Sequence, residues 1–193
     1  MHQLLLKNFS RHISLTSEEI RKLPQYFVHK KIRKHQFLLQ EGNVCRADYF
    51  VIKGSLRQYE SDNAGREHVI QFALEDWWIS DLNSLVTGTP SIYSIDAMED
   101  SEVLELNISR QEKLFTDIPK MNVYWRIIMQ KAFVAQQRRV LFLHKPLEQR
   151  YEDFLQRYSD FEQRIPQHQI ASFLGITRES MSRIRRVRKN SHI

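Results

Sequence analysis

The chain has 193 residues, with 29 Lys and Arg against 23 Asp and Glu, a formal net charge of +6 at pH 7. With 41% hydrophobic and 11% aromatic residues it can bury the core of one or two domains, which excludes a disordered protein. The lone cysteine, Cys45, excludes an internal disulfide framework, an all-cysteine zinc site and a four-cysteine iron–sulfur cluster, and the cytoplasm is the expected compartment. Neither a membrane span nor a secretory leader is expected, because no run of about 18 uncharged apolar residues occurs.

Residues 1 to about 30 read as helical, with Thr16 or Ser17 capping a short helix that begins at Glu18 and Glu19 and is limited by Pro24. From Gln36 to Leu106 the pattern changes to short β-rich runs at 37–39, 49–52, 55–59, 68–73, 94–98 and 102–106, separated by turn signals such as Lys53-Gly54 and Ser61–Gly65. That spacing predicts a compact antiparallel sandwich or barrel, with Trp77 and Trp78 in a loop. A long helix is expected from Pro119 to about His144. Within it Ile127, Val134 and Leu141 recur every seven residues, as do Ile128, Ala135 and Phe142, a stripe wide enough to pack on the barrel and on a second copy of the helix. Pro146 ends the helix as a hinge, and 147–158 reads as the next helix.

The segment after Pro166 carries the most specific signal. Ile170 and Ala171 are expected to begin a helix, Gly175 to supply the positive φ of a tight turn, Ile176 to plug the angle, and Thr177 to cap a second helix whose Met181 and Ile184 face inward. That arrangement is a helix-turn-helix. It leaves Arg178, Glu179, Ser182 and Arg183 outward near the helix start, where Arg can pair with guanine O6 and N7 and Glu can accept from the cytosine amino group. Gln167, His168, Ser172, Thr177, Arg185, Arg186, Arg188 and Lys189 are the expected phosphate contacts.

These residues resemble the Crp/Fnr family of transcription regulators. Tyr49–Leu56 is similar to that family's strand and turn glycine, Asp62–Glu67 to the hairpin that follows, and Glu102–Leu106 to its last barrel strand. Arg178-Glu179 with Arg183 resembles the reading set of the cyclic-AMP receptor branch, and Glu179 with Ser182-Arg183 that of the Fnr branch; both imply a GA-containing half-site. The resemblance implies an α+β protein: a cyclic-nucleotide-binding-like antiparallel β-roll over 1–118, a dimerisation helix over 119–145 and a helix-turn-helix domain over 146–193. It also implies a ligand pocket near Ser80, Asp81, Ser91 and Ile92; Trp77 and Trp78, in the loop before it, read either as core, the commoner case for such a pair, or as the lining of an apolar pocket. The family's Gly-Glu and Arg-Ser pairs for ribose and cyclic phosphate fall on Ser80-Asp81 and near Ser91-Ile92, and no arginine lies between Arg66 and Arg110. A cyclic nucleotide is therefore not the expected effector, and Asp81 reads better as a cap for a helix at 82–86.

No G-x-S-x-G, phosphate-loop or H-E-x-x-H motif occurs, so an enzyme is not expected. No metal or cofactor is expected either. The expected partners are double-stranded DNA, a second copy of the chain and RNA polymerase. The rival reading is a ligand-responsive scaffold that acts on a protein partner and uses its basic tail for docking.

Overall fold

The computed structural model describes residues 1–158 and 162–191, the last four of these by their backbone alone. Contacts divide the chain into two compact units, one of residues 1–60 with 70–131, the other of residues 61–69 with 132–193.

The first unit opens with α1 (Gln3–Ser10), α2 (Ser17–Lys22) and a 3-10 turn at Leu23–Gln25. α2 starts where the sequence placed it, with a full capping box: the Thr16 hydroxyl accepts from the Glu19 N–H at 3.2 Å, and the Glu19 carboxylate accepts from the Thr16 N–H at 2.6 Å. The strands follow as β1 (Val28–Ile32), β2 (Phe37–Leu39), β3 (Ala47–Lys53), β4 (Leu56–Ser61), β5 (Glu67–Ala73), β6 (Trp78–Ile79), β7 (Ser94–Ala97) and β8 (Ser101–Asn107). They form two four-stranded sheets, β1-β8-β3-β6 and β2-β7-β4-β5. The compact antiparallel architecture expected from the short β-rich runs is present, in the β-roll form that the family resemblance implies.

Two strands depart from the sequence reading. β1 lies partly where helix was expected, pairing antiparallel with β8 in the register Val28↔Glu105 to Ile32↔Ser101. His29, Lys30 and Lys31 mask its alternation, but these charges suit an edge strand, and Lys30 pairs with Glu105 at 2.5 Å across the ladder. β6 lies where a loop was expected. Its two residues pair with Tyr49 and Phe50 of β3, too short a stretch for periodicity to register. At the β3–β4 corner Gly54 has φ +88°, and a Cβ there would stand 2.2 Å from the Ser101 hydroxyl, so both backbone and space demand glycine.

Alternation along β3 feeds two cores. Val51 points between the sheets with Leu56, Ile95, Ala97 and Val103. Phe50 points outward to Leu5, Phe9, Tyr26 and Leu106, and to Leu114 of α4 (Ile108–Asp117) and Met121 and Tyr124 of α5 (Lys120–Leu143). Each such side chain contributes about 1.5–3 kcal/mol on burial. Buried polar atoms in this layer are paired: Trp78 Nε1 donates to the Tyr124 hydroxyl at 2.8 Å, which donates to Asn8 Oδ1 at 2.6 Å. The Asp48 carboxylate accepts from Ser80 at 2.6 Å and Gln111 at 2.8 Å. Burial pushes its pKa above the usual carboxylate range, opposed by hydrogen bonds from Ser80, Gln111 and Trp125.

The second unit packs the end of α5 with α6 (Leu147–Arg157), α7 (Gln167–Leu174) and α8 (Arg178–Ser191). Its core is Tyr151, Phe154, Tyr158, Ile170, Phe173, Leu174, Met181 and Ile184, all buried. The Phe173 ring is central, with centroids 5.8 Å from both Phe154 and Tyr158 and 6.0 Å from Phe142.

Tyr124→Phe strands Trp78 Nε1 and Asn8 Oδ1 in a dry core, and is expected to destabilise the first unit by about 1–3 kcal/mol. All three tryptophans, Trp77, Trp78 and Trp125, lie in that unit. The loss should therefore appear as a lower urea midpoint in tryptophan fluorescence.

Candidate nucleic-acid interface

α7 begins at Gln167 behind Pro166, three residues before the expected start, which places Gln167 and His168 in its first turn. It ends at Gly175, with φ +69° and ψ 40°, and the Ile176 N–H donates back to the Ala171 carbonyl at 3.0 Å. Thr177 then caps α8, its hydroxyl accepting from the Ser180 N–H at 3.2 Å. Met181 and Ile184 anchor α8 inward, while Arg178, Glu179, Ser182, Arg183 and Arg186 are exposed. Hydrogen bonds at the helix start hold the Glu179 carboxyl below its usual range, so it is an anionic acceptor at neutral pH.

The N-terminal ends of α7 and α8 open onto one cleft of about 220 Å³, lined by Gln167, His168, Arg178 and Met181. Two helix N-termini meet there, each a positive dipole end, a setting suited to phosphate. Gln167, His168 and Arg178 are thus brought together, with Thr177 exposed at the start of α8. Ser172 faces elsewhere: its hydroxyl donates to the Glu67 carbonyl at 2.6 Å and accepts from the Val69 N–H at 2.9 Å, while Gln169 donates to the Glu67 carboxylate at 3.3 Å. The tip of the β4–β5 hairpin is therefore fastened to the flank of α7. Arg185 is half-buried and turned to Glu162 at 3.6 Å. The side chains of Arg188 and Lys189 lie outside the described residues.

Two residues that position this helix pair were not singled out from the sequence. Arg139 on α5 donates to the Phe173 carbonyl and lies 3.9 Å over the Phe173 ring, and Arg150 on α6 donates to the Leu174 carbonyl at 2.5 Å. Burial lowers the Arg139 pKa to about 10, which leaves it charged at neutral pH. The available signal was an arginine interrupting the inward stripe of Ala135 and Phe142.

The dimer-helix residues divide between two faces of α5. Ile128 packs into the first unit's outer core and Phe142 against Phe173, with Ala135 half-buried between them in sequence. Val134 and Leu141 are 43% and 67% exposed, and Ile127 is half-buried. Phe133 and Val140, 65% and 60% exposed, widen this apolar face beyond the sequence reading.

The six residues of the expected ligand pocket lie in different surroundings. Trp77 packs on the core between the sheets and Trp78 on the outer one, 4.9 Å from Trp125. Ser80 is bonded to Asp48, and Ile92 is exposed. Ser91 is buried in a latch, its N–H donating to the Asn43 carbonyl at 2.9 Å and its carbonyl accepting from the Gly42 N–H at 2.8 Å. Asp81 caps α3 (Leu82–Thr87), accepting from the N–H groups of Asn83 at 3.0 Å and Ser84 at 3.2 Å. Ser91 and Ile92 thus stand where a cyclic phosphate would need a cation, and no arginine lies between Arg66 and Arg110. The buried guanidinium of Arg57 on β4 is committed to Asp96 of β7, through bonds of 2.7 and 2.9 Å. These residues do not fit a cyclic phosphate.

Residues 29–117 match the family model described as a cyclic nucleotide-binding domain. In sequence the chain is similar to the transcriptional regulatory protein btr of Bordetella pertussis, 24% identical over 186 residues that cover 89% of this chain and 76% of the relative. It is likewise similar to the fumarate and nitrate reduction regulatory protein of Vibrio cholerae, 26% identical over 184 residues, 89% of this chain and 73% of the relative. In fold it is similar to FixK2 from Bradyrhizobium japonicum, with a TM-score of 0.75 at 19% identity over 86% of each chain. The c-di-GMP-responsive global regulator CLP of Xanthomonas campestris gives 0.73 at 15% identity, over 91% of this chain and 93% of that one.

Gly175→Ala tests the turn. An added Cβ would lie 3.5 Å from Arg150 Nη1 and 3.7 Å from Leu143 Cδ2, which is ordinary contact, so the cost is that of the left-handed backbone alone. The variant should lose about 1–2 kcal/mol in the helical unit, read as a lower calorimetric melting temperature, and Gly175→Asn should lose less.

Proposed function

We infer from this fold and these relatives that the chain is a transcription regulator of the Crp/Fnr family, and we propose that it binds an inverted repeat in DNA as a homodimer. The observation that carries the reading is the exposed polar face of α8 beside two converging helix N-termini, held behind a left-handed glycine turn. Arg178, Glu179, Ser182 and Arg183 read base edges, with Glu179 and Arg183 on the GA core of each half-site. Gln167, His168 and Thr177 contact phosphates.

The second copy is expected on the α5 face formed by Ile127, Phe133, Val134, Val140 and Leu141. An apolar stripe this exposed on a single protomer is a liability unless covered, and a matching helix covers it symmetrically. Pairing there would set the two recognition helices one DNA turn apart, about 34–36 Å. In this reading 1–118 is the sensor, 119–145 the dimer helix and 146–193 the DNA-binding domain, with RNA polymerase as a further partner and the cytoplasm as the compartment. No catalytic role is assigned. The sensor does not answer to a cyclic nucleotide, because the cassette from Ser80 to Ile92 holds no arginine to pair with the phosphate.

In vitro selection from a random duplex library at fixed salt is expected to enrich an inverted repeat with a GA core. Arg183→Ala should lose about 1–3 kcal/mol per half-site and the preference at the core. Binding that follows charge alone, without sequence preference, would favour the scaffold that docks by its basic tail. Leu141→Glu places a charge on each side of the seam, and should give a monomer by light scattering that binds a single half-site weakly.

A further inference from the structure

The cations after Arg183 read in sequence as one phosphate-binding cluster, but the structure separates them. Arg185 leans back to Glu162 at 3.6 Å. Arg186 is exposed, with no hydrogen bond or ion pair among the described residues. An α-helix turns about 100° and rises about 1.5 Å per residue, so seven residues bring Arg186 back to within about 20° of Glu179 and about 10 Å further along α8. Glu179, Ser182, Arg183 and Arg186 therefore form an i, i+3, i+4, i+7 line, all exposed, opposite the buried Met181 and Ile184. A homeodomain recognition helix reads bases in the major groove with that same spacing.

We propose that Arg186 is a base-reading residue and sets specificity at a guanine about three base pairs from the pair read by Glu179. This rests on the regulator reading above. The spacing follows because about 10 Å along a groove with about 3.4 Å between steps spans three of them. Guanine follows because the planar guanidinium matches O6 and N7 together. Arg178 and Arg183 mark the margins of an arc about 140° wide on α8, and Arg186 stands near its middle. The phosphate walls of the groove flank such an arc, whereas its middle meets the base edges.

The test is selection from a random duplex library with the wild-type chain, Arg186→Ala and Arg186→Lys, followed by affinity measurements over a range of salt. The wild type is expected to fix a G·C pair about three base pairs from the GA core. Arg186→Ala should keep the core and lose discrimination at that pair by about 5- to 150-fold. Arg186→Lys should keep the salt dependence yet lose most of that discrimination. Equal weakening of Arg186→Ala on every duplex, with the salt slope smaller by about one, identifies a phosphate contact and overturns the proposal. Identical selected sites in all three proteins overturn it as well. Both results leave a GA core enriched by the wild type, whereas no enrichment by the wild type overturns the regulator reading and this proposal with it.

Discussion

The carbonyls at the end of α7 must find donors, and how they do so governs the helical second unit. A helix that stops at a left-handed residue leaves its last C=O groups pointing into whatever packs behind it. Here that region is protein interior, and the donors are the guanidiniums of Arg139 from α5 and Arg150 from α6. Charge at a helix C-terminus is worth about 0.3–1 kcal/mol when exposed and up to about 2 kcal/mol when partly buried. The helix dipole thus offsets part of the desolvation that lowers the Arg139 pKa. The cost is visible: Arg139 Nη1 and Arg150 Nε are buried without a partner among the described residues. What results is a fixed point at which three helices meet, and from it the turn through Gly175, Ile176 and Thr177 sets the direction of α8.

The flank of α7 is held by a different device. β5 ends its sheet order, so its outer edge offers N–H and C=O groups with no strand to take them. The Ser172 hydroxyl satisfies two of these, the Glu67 carbonyl and the Val69 N–H, with one side chain acting as both acceptor and donor. The edge is blunted and the helix located in one stroke, while the N-terminal cleft stays open. The Ser172 hydroxyl is thereby engaged within the protein, and any other contact by it requires these two hydrogen bonds to break first.

Wherever a residue's role is fixed by its own neighbours in sequence, the sequence was readable. Thr16 and Glu19, Gly175, Thr177 and the inward pair Met181 and Ile184 act within one turn, and Asp81 likewise caps the helix immediately after it. β1 was hidden because an edge strand tolerates the lysines that mask its alternation, and β6 because two residues carry no period. The early start of α7 was hidden because Gln167 and His168 are polar and add nothing to the apolar pattern that begins at Ile170, although they form its first turn behind Pro166. Arg139 and Arg150 were out of reach for another reason: their partners are backbone carbonyls far along the chain, which no local pattern encodes. The same holds for Ser172, whose partners lie more than a hundred residues away.

In the first unit the same physics fixes the long helix to the sheet. Trp78 of β6 donates to Tyr124, and Ser80, two residues further on, shares the Asp48 carboxylate with Gln111 of α4. A shift of this strand end against α4 and α5 must leave buried donors or acceptors unpaired, at about 1–3 kcal/mol for each group. Apolar packing such as Trp78 on Trp125 resists less sharply, because contacts between rings slide where hydrogen bonds break. Movement at β6 is therefore transmitted to α4 and the first turns of α5 as displacement rather than absorbed. These bonds tie the end of β6 to α4 and to the first turns of α5, so that this layer of the first unit is held by polar contacts as well as by apolar packing.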